Sequence, residues 1–143
     1  MKNKLFRFKN KRGTRNRNGV VSVELAVCLP IFFLVLWGNV EIGRGMAAKQ
    51  VLINAAREGC RTCIVGGLTA AETAEIVADY SKSNLVNDVM VSVKPDPATA
   101  ALGEPITVTV EVEYGKISFF APMFFAEDAT LSAESTMRKE RAN

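Results

Sequence analysis

A few residues of this chain carry chemistry that their neighbours do not explain. Glu24 lies inside the apolar run GVVSVELAVCLPIFFLVLWGNV, residues 19–40, which holds no cationic side chain. A carboxylate in a membrane helix costs roughly 2.5–3.5 kcal/mol on insertion scales, so Glu24 calls for a partner or a function. Gly19 stands five positions before it, at the end of a strongly basic stretch. The second group is Cys60-Arg61-Thr62-Cys63. Three readings stay open for this C-x-x-C: two small buried apolar residues, a local disulfide in an oxidising compartment, or a redox or metal site. A redox pair belongs at a helix start after a strand, whereas this one falls at a helix end. A metal would need two further ligands, and the one remaining cysteine, Cys28, is inside the apolar run. The chain has no histidine, which removes the commonest metal ligand and general base. No catalytic residue, metal site or cofactor is expected, and the chain is not expected to be an enzyme.

The elements that position these residues begin with the apolar run, which is long enough to cross a bilayer as one helix. Eight of the chain's eighteen cations precede Gly19 and no acid does, leaving ten cations against fifteen acids beyond it. Next to a membrane segment, that asymmetry reads first as a topology signal holding the N-terminus in the cytoplasm. Phe6 and Phe8 alone do not make a nucleic-acid surface, and no nucleic-acid partner is expected. An ordinary secretory signal has a shorter apolar core followed by an A-x-A-like site. Here the nearest such site, residues 45–48, falls beyond Glu41 and Arg44, which mark the exit of the span. Pro30 removes one backbone hydrogen bond inside the helix and should kink or loosen it. Trp37 suits the far interface.

The helix is expected to continue past the membrane to about residue 63. Ala47/Val51/Ala55/Gly59 and Ala48/Leu52/Ala56/Cys60 form two adjacent rows of mostly small residues. Such rows permit close packing, part against the chain's own domain and part against other subunits. Gly66 and Gly67 end this helix. Thr69 and Glu72 have capping-box spacing and open a second helix over 70–85, with Ile76, Tyr80, Val77 and Leu85 assigned to its inner face.

From Val89 the period becomes two. Residues 89–94 read as a strand, Pro95-Asp96-Pro97 stops it, and Ile106, Val108, Val110, Val112 and Tyr114 alternate with polar residues. Leu131, Ala133, Ser135 and Met137 suggest a third strand. The apolar segment 117–125 is either a core plug or an exposed contact patch, and 138–143 reads as a frayed tail. The fold class is therefore α+β: a long N-terminal transmembrane helix continuing into a small domain with a second helix and an antiparallel sheet of about three strands. The boundaries are a basic leader 1–19, a transmembrane segment 20–41, a helical continuation 42–66 and a soluble domain 67–143.

The stretch from Gly19 to Arg61, with its glycine–glutamate spacing, its mid-membrane Pro30 and its block Asn54-Ala55-Ala56-Arg57-Glu58-Gly59, resembles the TadE-like family of pseudopilins. These are small proteins of the Tad (Flp) pilus and secretion machinery. Leu25 stands where some members have tyrosine. The resemblance implies cleavage after Gly19 by a prepilin peptidase, a membrane aspartyl enzyme, freeing the amine of Val20. It further implies that Glu24 reaches the amine of a neighbouring subunit, with Pro30 also at a subunit contact. The implied partners are other pilin or pseudopilin subunits, the prepilin peptidase, inner-membrane pilus assembly proteins and membrane lipid. The implied location is the inner membrane, single-pass, with an extracytoplasmic C-terminal domain, and a place in a surface pilus for adhesion or secretion. Two other readings compete: an unprocessed single-pass protein whose domain binds a ligand or partner, and a membrane-tethered thiol protein using Cys60 and Cys63.

Overall fold

The computed structural model describes residues 17–66, 68–118 and 129–140. The basic residues 1–16, Gly67, residues 119–125 of the apolar segment and the tail residues 141–143 lie outside the described residues. The architecture is α+β, with one long helix, a second helix and a three-stranded antiparallel sheet. The chain divides into two compact units, Met1–Trp37 and Gly38–Asn143.

Helix α1 runs Arg17–Gly66 and stays helical through Pro30. Its side chains from Val20 to Trp37 are exposed, including Phe32, Phe33 and Leu34. Within the second unit, Ala48, Leu52, Ala55, Ala56, Cys60 and Cys63 are buried. This stripe joins the chain's own core with Val77, Ile106, Val108, Val110 and Val112. The small residues are what permit the approach. A Cβ added at Gly59 would lie 2.5 Å from Val77 Cγ2 and 3.2 Å from Val108 Cγ1.

Helix α2 spans Ala70–Ser83 and opens on the capping box expected from Thr69 and Glu72. Its inner face is the expected one at Val77 and at Tyr80, which packs against the core, and differs elsewhere. Thr73, Val77 and Ser81 are buried, while Ile76 and Leu85 are exposed. Thr73 Oγ1 donates to Thr69 O at 3.0 Å and Ser81 Oγ to Val77 O at 2.9 Å. With their hydroxyls satisfied inside the helix, these two residues can be buried at little cost. Helix α2 then closes with Val86 N–H donating to Ser81 O and Leu85 N–H to Lys82 O, a Schellman arrangement. The left-handed position at its centre is held by Leu85, φ 65°, with 91% of its surface exposed.

The sheet order is β1-β2-β3, with β1 Met90–Lys94, β2 Pro105–Glu113 and β3 Thr130–Arg138. Val91 pairs with Val110, and Val108 with Ser135. Ile106, Val108, Val110 and Val112 point to the core, as the alternation requires, and each is fully buried. Burying a side chain of this size contributes about 1.5–3 kcal/mol. Tyr114 leaves the strand and opens a short 3₁₀ turn, Tyr114–Lys116. Residues 138–140 depart from the expected frayed tail, whose remaining residues 141–143 lie outside the described ones. Arg138 ends β3, and Lys139 is 96% buried, its Nζ donating to Pro97 O at 2.8 Å and Ala100 O at 3.0 Å. The loop after β1 provides these carbonyls, and that is why the chain stays ordered past the last strand residue.

Candidate processing and assembly segment

Gly19, Val20 and Glu24 all fall in the first two turns of α1. Gly19 lies near the start of the described residues. Its surroundings are open, with no atom within 4 Å of an added Cβ. Val20 is 70% exposed, and Glu24 is exposed four residues later. Residues four apart on a helix share a face about one turn apart. Around Glu24 the surface is apolar: Val21, Val23, Leu25, Val27, Ile31 and Phe32 are all exposed. Pro30 lies on this same helix, six residues beyond Glu24. From Gly19 onward, α1 is long and apolar enough to cross a membrane.

The cysteines fall elsewhere. Cys60 and Cys63 are buried free thiols, and each has its own hydrogen-bond partner. The Cys60 thiol donates to Ser135 O at 2.9 Å, toward the sheet. Cys63 Sγ lies 3.2 Å from Thr73 Oγ1, toward α2. Thr73 already donates its hydroxyl proton to Thr69 O, so the Cys63 S–H is the donor in this contact. Burial pushes the Cys63 thiol above its ordinary value. A reactive cysteine requires the opposite environment, one that favours thiolate. Among the described residues no group of three metal-ligating side chains comes together.

One residue has a setting that its sequence position did not reveal. Glu41 reads as a solvated exit marker, yet it is 96% buried, and its Oε1 has no hydrogen-bond partner. The Tyr114 hydroxyl donates to the Glu41 backbone carbonyl at 3.3 Å. Gly45 makes room for this contact: an added Cβ there would lie 3.1 Å from the tyrosine ring. Burial first, and the nearby Glu41 charge second, push the Tyr114 phenol up, against the pull of Arg44. Arg44 donates to Ile117 O at 2.7 Å. The signal available in sequence was a glycine one turn beyond the glutamate, opposite the tyrosine that follows β2.

Residues 19–61 match the family model described as TadE-like protein. The chain carries a TadE-like segment. The TadE-like match contains Gly19, Val20, Glu24, Pro30 and Cys60 and stops before Cys63, α2 and the sheet. No curated protein and no solved structure matches the chain.

Proposed function

We propose that this chain is a pseudopilin or minor pilin of a Tad (Flp) pilus, made as a precursor, cut after Gly19 and assembled through α1. Glu24 carries the reading: it is a carboxylate on an exposed apolar helix surface, one turn from Val20, inside the TadE-like segment. Cutting after Gly19 frees the Val20 amine, whose pKa of about 7.7–8.0 keeps it largely protonated near neutrality. That ammonium is the cation the apolar run lacks. A neighbouring subunit, offset along the helix, brings its own Glu24 to this amine and satisfies both charges in a low-dielectric layer. Leaving one member of such a buried pair unmatched costs about 3–5 kcal/mol. Processing and assembly are thereby coupled, because only a cut chain offers the amine. The eight cations before Gly19 hold the leader in the cytoplasm, within reach of a prepilin peptidase, and place Gly38–Asn143 outside it.

The experiment compares wild type with Glu24→Gln in cells that express the matching peptidase. The intact mass of membrane-extracted protein gives the cut, and co-purification with pilus components gives assembly. Wild type is expected to start at Val20. Glu24→Gln is expected to be cut to a useful extent yet enter its complex poorly at equal mature-protein level. Wild type that retains Met1 would sink the pseudopilin reading. Equal recovery of the mutant would leave Glu24 as at most a recognition residue for the peptidase.

A further inference from the structure

A groove of about 750 Å³ opens in the second unit between α1 and the start of β3. Its floor is apolar, from Ile42, Met46 and Leu131, and its polar lining includes Lys49, Thr130 and Tyr114. Among the described residues that line it, Lys49 is the one charged residue. The Lys49 amine donates to Ser132 O across the groove, and an ammonium has two further donors. Ile42 and Met46 are largely exposed, although nothing about a soluble surface favours two large apolar side chains there.

The position of this groove along the chain gives it meaning. Ile42 is two residues beyond the apolar run and Met46 six, about 3 and 9 Å along a helix. A bilayer of 40–45 Å with a hydrocarbon core of about 30 Å leaves roughly 5–8 Å of headgroup layer on each side. Ile42 and Met46 therefore fall at the headgroup layer or its edge. Helical side chains lean toward the helix start, so Lys49 reaches back by about a turn toward the same layer.

We infer that this groove binds one anionic phospholipid of the outer leaflet, its phosphate on the Lys49 amine and the Thr130 hydroxyl and its glycerol and upper acyl carbons along Ile42, Met46 and Leu131. The Lys49 ammonium favours an anionic headgroup, and the apolar floor suits glycerol and upper acyl carbons. The inference rests on the membrane reading of residues 19–40, but not on processing or pilus assembly.

The test uses the full chain in phosphatidylcholine nanodiscs with an added minority of phosphatidylglycerol bearing a photoreactive headgroup. Crosslinked peptides are mapped by mass spectrometry. Labelling is expected on residues 42–50 and 129–132, competed by unlabelled phosphatidylglycerol but not by free glycerol phosphate. Lys49→Gln should lower it about fivefold, the weight of one lysine near an anionic surface, and Lys49→Arg should restore it. Unchanged amide protection at Val108 and Val110 certifies the fold of each variant. Equal labelling by a phosphatidylcholine probe, or no effect of Lys49→Gln, overturns the anionic site. Competition by glycerol phosphate assigns the groove to a soluble phosphate and overturns the lipid. Labelling of the span without the groove overturns the site alone, whereas labelling of neither overturns the membrane reading with it.

Discussion

One helix makes two kinds of surface. From Val20 to Trp37, α1 presents valine, leucine and phenylalanine, all exposed. From Ala48 to Cys63 it turns alanine, glycine and cysteine, with Leu52, to the core. Hydrophobicity alone does not separate the two; side-chain volume does. Large residues cover the part that no other described element packs against. Small residues mark the part that a sheet and a second helix approach closely, because dense packing leaves no room for more.

The sharpest way to break this comparison is the same substitution in both halves. Leu52 is fully buried and Leu34 is 58% exposed. Leu52→Ala should destabilise the second unit by about 2–5 kcal/mol through lost burial and the cavity left behind. Leu34→Ala should leave that unit's denaturant midpoint unchanged in detergent. Equal effects would mean that the two surfaces do not differ as described.

Glycines give a second matched pair. Gly59→Val drives a side chain into Val77 and Val108, at about 1–3 kcal/mol or more, whereas Gly38 has nothing within 4 Å of an added Cβ. Thermal unfolding of the two variants should separate them by several degrees.

The thiols probe the buried half more gently. Replacing Cys60 and Cys63 together by alanine should cost about 1–2 kcal/mol, from two lost sulfurs and their weak hydrogen bonds, while membrane insertion and assembly persist. Loss of assembly at normal protein level would restore the thiol-protein reading.

Smallest of all is the cap of α2. Thr69 N–H donates to Glu72 Oε2 at 2.8 Å and the Thr69 hydroxyl at 2.9 Å, and both bonds hold the Glu72 carboxyl below its ordinary value. A depressed folded-state pKa stabilises above the ordinary glutamate range and loses that contribution as pH falls through the lowered value. Amide protection in the first turn of α2, corrected for the intrinsic pH dependence of exchange, should therefore fall on acidification in wild type. In Glu72→Gln that dependence should be flatter.

Much of this was legible because local rules and packing agreed. The alternation of β2 and the capping box of α2 each reflect a single short-range requirement, period two and paired caps, and both hold in the structure. The small stripe of α1 needed only its spacing. The misses lie at polar residues that the structure buries. Thr73 and Ser81 are buried because their hydroxyls bond back into α2, and Lys139 because two loop carbonyls meet it. Glu41 is buried beside a tyrosine more than seventy residues away. Such partners are set by tertiary contact, which no window of sequence contains. In the candidate segment, the spacing of Gly19 and Glu24 and the helical backbone were plain in the sequence, and the structure adds their exposure.

Leu85 has a consequence of another kind. A leucine in the left-handed region is strained, and here its side chain contacts almost nothing in return. The closing bonds of α2 run from backbone groups alone, so they survive any side chain that tolerates this geometry. Asparagine does so at lower cost than leucine, and it adds no chain flexibility as glycine would. Leu85→Asn should therefore raise stability by about 0.5–1 kcal/mol and remove the most exposed large apolar side chain among the described residues of the second unit. For anyone preparing that unit for crystallisation or NMR, one position thus offers greater stability and lower aggregation together, outside the TadE-like segment 19–61.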